Sequence, residues 1–255
     1  MPTDKWNNGF QPKGIVLHDD ASPIGFDTAK YFQTTTREAS AHFCLGRTGQ
    51  LDQCVDLDKR AWHAGPSRYK GVSDVNDFAF GIEINNPGKL KDIGGNRYKH
   101  WSKREYSSTE YDIKFEQTEA HGPGYWMDYT IQQMEAVTDL CQVLVEAFNL
   151  EFITTHWEIS PGRKIDTNPL FPLEHVRSRV FGRNSTPEPF PYDAVTVVNS
   201  NMRRWPSTIS EIIQVVPRGS GVDLIRFGEF DGNRWYLVRY EDQEGWIYGS
   251  LLDVD

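Results

Sequence analysis

The chain has 255 residues and carries 36 Asp and Glu against 27 Lys and Arg, a formal charge of −9. With no block of Lys or Arg, this acidic balance excludes a protein that grips nucleic acid through its phosphates, which needs a basic surface to release counterions. No run of about 18 apolar residues occurs, so no membrane insertion is expected, and the length suits two domains.

Residues Met1 to Trp6 lack the basic start and apolar core of a secretory leader, so the sequence alone predicts no signal peptide and synthesis in the cytosol. Cys44, Cys54 and Cys141 make an odd number and match no paired zinc pattern. Cys44 and Cys54 flank a predicted hairpin and are placed to approach each other. All three are expected to be free thiols used in packing.

Gly14 to His18 is a short apolar run ending in a polar residue, the pattern of a buried strand that delivers a side chain at its end. Asp27 is a plausible N-cap for a short helix through Phe32. Ala41–Leu45 and Leu51–Val55 surround Arg47-Thr48-Gly49-Gln50, a hairpin signal. A loop then carries Trp62 and His63, and Phe78–Ile84 predicts a central strand with Glu83 inside it. A buried carboxylate costs several kcal/mol unless it is paired or stands beside a cation.

Residues 86–128 are polar and aromatic with no legible elements, and a connection of that length is expected to form an active-site wall. Thr130 and Gln133 have capping-box spacing. Ile131, Met134, Val137, Leu140, Cys141, Leu144, Val145 and Phe148 then predict an amphipathic helix. Glu151–Thr155 follows as a strand, and Leu173–Val180 predicts a closing helix. Arg183 to Pro191, with prolines at 187, 189 and 191, predicts a stiff linker. Beyond it, β-type runs at 195–198, 211–216, 222–227, 235–240 and 244–248 predict a small all-β barrel.

The stretch from Thr155 to Asp166, read as a loop held by Pro161 and Gly162, offers an imidazole (His156), an ammonium (Lys164) and a carboxylate (Asp166). Zinc takes nitrogen and oxygen ligands in a tetrahedron with one corner left for water. His18 at the end of another strand is a candidate third ligand, although any one histidine alone is more often a packed or surface residue.

The motifs Ile15-Val16-Leu17-His18, Ser40-Ala41-His42-Phe43, Trp62-His63-Ala64-Gly65, Gly81-Ile82-Glu83-Ile84 and His156 through Asp166 together resemble the type 2 zinc-dependent N-acetylmuramoyl-L-alanine amidases. That superfamily includes recycling amidases, phage lysins and peptidoglycan recognition proteins. The resemblance covers about residues 10–180 and implies an α/β fold, a mixed central β-sheet flanked by helices. It further implies one zinc per chain held by His18, His156 and Asp166, and hydrolysis of the amide between N-acetylmuramic acid and L-alanine in peptidoglycan or muropeptides. Zinc would act as a Lewis acid on water and on the amide carbonyl.

By the same resemblance Glu83 is the general base and acid, Lys164 stabilises the oxyanion, and His63 meets the substrate carbonyl. Trp62, Asn85 and Arg163 are candidate substrate contacts. The alternatives are a solvent-facing Lys164 and an ordinary surface His63. Ala41 stands where some phage relatives carry a catalytic tyrosine, which leaves the base role to Glu83. His42 is expected to be structural, and His100, His121 and His175 to be solvated.

Asn201 to Ser207, Trp235-Tyr236-Leu237-Val238 and Gly245-Trp246-Ile247 resemble bacterial SH3-like modules, which implies wall binding or mere positioning of the catalytic domain. The expected organisation is a catalytic domain over residues 1–182, a linker over 183–194 and an SH3-like domain over 195–255, acting as a monomer. The rival reading is a non-catalytic muropeptide-binding protein. A phage-type lysin or an exported effector would reconcile a wall substrate with the missing leader.

Overall fold

A computed structural model describes residues 10–181, 193–230, 233–241 and 243–254. The expectations for residues 1–6 and for the prolines at 187, 189 and 191 lie outside the described residues. Two compact units divide between Phe171 and Pro172.

In the first unit, β1 (Gly14–Asp19) is buried along its whole length, with Ile15, Val16 and Leu17 fully inaccessible. Such a run suits a parallel strand covered on both faces. α1 (Thr28–Thr34) starts where the Asp27 carboxylate accepts the Lys30 backbone N–H at 2.8 Å. β2 (Phe43–Leu45) and β3 (Leu51–Gln53) form the expected hairpin, and Gly49 in its turn has φ +82°. Cys44 Sγ and Cys54 Sγ lie 3.6 Å apart as free thiols.

After a two-residue ribbon, β4 (Arg68–Tyr69) with β5 (Val72–Ser73), the central strand β6 (Ala79–Ile84) pairs in parallel with both β1 and β2. The region without legible elements is a second sheet. It contains β7 (Lys89–Gly94), β8 (Arg97–Lys99), β9 (Glu105–Ser107), β10 (Ile113–Thr118) and β11 (Gly122–Met127), all antiparallel, in the order β10-β11-β7-β8-β9. Leu90, Tyr98, Tyr106 and Met127 form its core.

α2 (Ile131–Phe148) carries the complete capping box: Gln133 N–H donates to Thr130 Oγ1 at 3.1 Å and Thr130 N–H to Gln133 Oε1 at 3.2 Å. It buries Met134, Val137, Cys141, Leu144 and Val145 and ends at Asn149, whose left-handed φ of 52° makes the C-cap. Ile131, counted in the predicted stripe, is exposed at the first turn. β12 (Phe152–Thr155) pairs in parallel with β1, giving the sheet order β12-β1-β6-β2-β3. The predicted loop after it begins instead with one helical turn, α3 (His156–Ile159).

The second unit holds α4 (Leu173–Phe181), β13 (Asp193–Thr196), β14 (Ser200–Arg203), β15 (Ile212–Val216), β16 (Gly221–Phe230), β17 (Asn233–Tyr240), β18 (Gln243–Tyr248) and β19 (Leu252–Val254). The strands make one sheet in the order β15-β14-β18-β17-β16-β13-β19 around Met202, Val216, Val238 and Ile247. His175 on α4 is not solvated as expected. Its ring lies 4.4 Å from that of Trp205, and Trp246 Nε1–H donates to its Nδ1 at 3.0 Å. An aromatic cleft takes in the imidazole because the indole satisfies one ring nitrogen.

Candidate metal centre and active site

The site residues stand at the C-terminal ends of neighbouring parallel strands, where open α/β sheets place their ligands. His18 is the penultimate residue of β1 and is the register partner of Glu83 on β6, which in turn pairs with Cys44 on β2. Register partners on adjacent parallel strands project from one face of the sheet, so His18 and Glu83 leave β1 and β6 side by side. His156 opens α3 directly after β12. The turn starts at Thr155, whose N–H donates to Glu158 Oε2 at 3.3 Å, and Thr154 Oγ1–H donates to the same oxygen at 2.6 Å. Asp166 returns from the following loop, where Trp157 N–H donates to its carbonyl at 2.8 Å.

Three ligand atoms converge there: His18 Nδ1 and His156 Nδ1 are 2.9 Å apart, and Asp166 Oδ2 lies 3.3 Å from the first and 2.8 Å from the second. The remaining hydrogen bonds assign the protons. His156 Nε2–H donates to the Ala64 carbonyl at 3.0 Å, which leaves Nδ1 a bare lone pair. Arg163 Nη2, 3.3 Å from the same Nε2, already donates to Ala64 O, Pro66 O and Ser160 Oγ and has no hydrogen left for the imidazole. His63 Nε2–H donates to the Ala79 carbonyl at 3.1 Å, so His63 Nδ1 accepts from His18 Nε2–H at 3.0 Å. His18 Nδ1 is then a lone pair as well.

Burial, and next the neighbouring His156, lower the pKa of His18 to about 4, so the ring is neutral near neutral pH. Burial also holds His63 well below the ordinary histidine range. Two imidazole lone pairs and a carboxylate oxygen within 3.3 Å repel one another unless a cation stands among them. The donor set fits a metal ion, and two nitrogens with one oxygen is a set that zinc accepts.

Glu83 borders this cluster with an Oε2 atom shielded from solvent and without a hydrogen-bond partner. Burial, then the carboxylates of Asp166, Asp20 and Asp19, raise its pKa well above the ordinary value, while the Lys164 charge opposes the rise. Lys164 also acts on His18, so its charge is felt across the site. Its ammonium forms no hydrogen bond or ion pair among the described residues.

The other predicted site residues fall into place differently. His63 is buried, with both ring nitrogens used inside the fold, so it is not a surface-loop residue; it orients His18. Its ring lies so close to β6 that a Cβ on Gly81 would meet it at 2.4 Å. Trp62 stacks under the Arg60 guanidinium, 4.1 Å from the ring centroid. Arg163 uses one nitrogen to tie Ala64 O (2.7 Å), Pro66 O (2.9 Å) and Ser160 Oγ (2.7 Å) together. Asn85 is buried, donating to Asp20 Oδ2 at 3.0 Å and accepting Gly25 N–H at 3.1 Å. Its amide therefore serves the loop after β1.

His42 is structural as expected: Nδ1 accepts Gly81 N–H at 3.0 Å and Nε2 bonds to Lys59 O at 2.9 Å. His100 and His121, expected to be solvated, are buried. His100 Nε2 meets Ala21 O at 3.1 Å, and His121 Nε2 meets Thr167 O at 2.9 Å, just beyond Asp166. Each has a backbone carbonyl far along the chain as partner, which sequence distance conceals.

A trio escaped the sequence reading. Asp19, beside His18, accepts Tyr129 O–H on Oδ1 at 2.6 Å and Asn168 N–H on Oδ2 at 2.8 Å. It thereby joins the end of β1, the start of α2 and the segment after Asp166. The available signal was a second acidic residue at the end of an apolar strand.

The N-acetylmuramoyl-L-alanine amidase family profile matches residues 8–169, and a bacterial SH3 domain profile matches residues 196–253. The 1,6-anhydro-N-acetylmuramyl-L-alanine amidase AmpD of Escherichia coli is 31% identical over 140 residues, covering 54% of this chain and 56% of AmpD. The N-acetylmuramoyl-L-alanine amidase AmiD of E. coli is 24% identical over 179 residues, covering 67% of this chain and 54% of AmiD. The chain thus spans about half the length of these curated relatives. Among solved structures, E. coli AmiD in complex with anhydro-N-acetylmuramic acid-L-Ala-D-gamma-Glu-L-Lys has a TM-score of 0.48 at 23% identity, covering 66% of this chain and 58% of that one. With its profile matched across residues 8–169, the chain belongs to the N-acetylmuramoyl-L-alanine amidase family and carries a bacterial SH3 domain behind it.

Proposed function

We propose that the protein is a zinc hydrolase that cleaves the amide between N-acetylmuramic acid and L-alanine in peptidoglycan or its muropeptide fragments, acting as a monomer with one zinc per chain. The observation that carries this reading is the triangle of three proton-free ligand atoms, His18 Nδ1, His156 Nδ1 and Asp166 Oδ2, set beside the unpartnered carboxylate of Glu83.

When bound by these three residues, zinc supplies Lewis acidity toward water and the amide carbonyl. Glu83 Oε2, with no internal partner to compete, takes the proton of the attacking water and returns one to the alanine nitrogen as the C–N bond breaks. Lys164 places positive charge near the developing oxyanion, a contribution worth about 3 kcal/mol in comparable sites. His63 fixes the tautomer of His18 and Ala64 O that of His156, so both ligands meet the metal already oriented.

A wall substrate reached after export or lysis agrees with the attached SH3 domain. The rival reading, recognition without turnover, predicts binding alone. The test is release of stem peptides with new L-alanine amino termini from sacculi and from soluble muropeptide. Zinc-loaded protein that leaves both intact contradicts the enzyme.

A further inference from the structure

We propose that Trp101, on the turn between β8 and β9, is a stacking platform for a pyranose ring of the glycan strand, a sugar subsite beside the metal centre. The inference rests on peptidoglycan as the substrate class and deepens that reading. Trp101 is 74% exposed, the most exposed of the large apolar side chains among the described residues, yet it is not loose. Its only polar atom, Nε1–H, donates to Ala21 O at 2.8 Å, so the ring is pinned by its edge and offers solvent an apolar face.

The same carbonyl accepts His100 Nε2–H at 3.1 Å, and the His100 ring lies 5.1 Å from that of Trp101. Ala21 itself sits at φ 48°, a left-handed conformation uncommon for alanine, and two donors converge on its carbonyl.

The location argues for the ligand. Ala21 is three residues beyond His18, which bounds their Cα separation at about 11 Å. The loop that carries Ala21 is fixed from both sides. Asn85, next after β6, accepts Gly25 N–H at 3.1 Å, and the second sheet adds Arg104 Nη1–H to Ile24 O at 2.9 Å and Ile24 N–H to Tyr106 Oη at 2.9 Å.

Trp101 is therefore tied by its anchor bond to the loop that leaves β1 just after His18, and a glycan strand running on from an amide held at the metal is the ligand we assign to it. The C–H face of a pyranose needs an apolar, preorganised aromatic plane with its polar handle already satisfied, and an indole held by its edge supplies that.

The test uses the zinc-loaded full chain and peptide-free peptidoglycan glycan strands, which contain no scissile amide. Binding is measured for wild type, Trp101→Ala and Trp101→Phe, with thermal melts as the folding control. Trp101→Ala is expected to weaken glycan binding about tenfold, and Trp101→Phe, which loses the anchor bond but keeps a ring, to lose clearly less. In turnover, Trp101→Ala is expected to shift the preference from long-glycan substrate toward a single-disaccharide muropeptide by a similar factor.

Equal glycan binding by wild type and Trp101→Ala, or equal losses in both variants, would overturn the platform. Should wild type bind glycan through Trp101 yet turn over neither substrate, the subsite stands and the amidase reading fails. Should it turn over both with no change in Trp101→Ala, the reverse holds.

Discussion

Tyr129 donates its hydroxyl proton to Asp19 Oδ1 at 2.6 Å across 110 residues of sequence, and the other oxygen of that carboxylate holds Asn168 N–H at 2.8 Å. The pair locks the strand end that carries His18 to the segment that follows Asp166, so one buried carboxylate helps position two of the three candidate ligands. Tyr129→Phe removes one partner from Asp19 and is expected to cost about 1–3 kcal/mol of stability. It is also expected to weaken zinc binding about tenfold or more, as loss of an outer partner does at comparable sites. Chelator competition alongside thermal unfolding measures both; an unchanged metal affinity would make the lock purely structural.

Glu83→Gln separates proton transfer from metal binding. The amide keeps the shape and removes the proton-carrying oxygen, so the variant should retain its zinc and lose at least ~100-fold in kcat. Metal analysis and turnover on the same preparation decide it, and full activity would remove Glu83 from the chemistry.

Gly81→Ala tests how His18 is held. The added Cβ would lie 2.4 Å from the His63 ring, which must move, and His63 Nδ1 is the acceptor that fixes His18. A loss of about 1–3 kcal/mol in stability is expected from overpacking, together with weaker metal binding. Loss of stability with unchanged zinc affinity would show that His18 does not depend on His63.

His175 gives the second unit an acid sensitivity. Burial, followed by the charges of Arg179 and Arg204, lowers its pKa from 6.5 to about 3. Between those values the unfolded chain binds a proton that the folded one refuses, so stability falls as pH drops from 6.5 toward 3 and is complete above 6.5. The unfolding midpoint of the SH3 transition should decline on acidification through that window, and His175→Gln should flatten the decline.

Much of this was legible because particular residues obey local rules. Ile15-Val16-Leu17 reads as a buried strand because all three are buried, and Thr130 with Gln133 announces α2 through a cap that the structure contains. The short helix α3 was equally readable, since Thr155 and Glu158 repeat that capping spacing, but Pro161 and Gly162 drew the reading toward a loop. The second sheet was opaque for a physical reason. Its core takes about one residue from each of several strands, Leu90, Tyr98, Tyr106 and Met127, too few per strand to set up a period.

At the site, His18, His156 and Asp166 converge from two strand ends and a loop. The places of His100, His121 and His175 depend on partners 79, 46 and 71 residues away, which no local pattern records.

The most direct test of the account is a zinc titration of the metal-stripped protein, followed by release of stem peptide from muropeptide. The account predicts that activity rises linearly and saturates at about one zinc per chain, as a three-ligand site requires, and that Asp166→Ala neither binds the ion tightly nor turns over. Saturation of the His18, His156 and Asp166 site with no hydrolysis at any zinc level would contradict it and leave a binding protein in place of an enzyme.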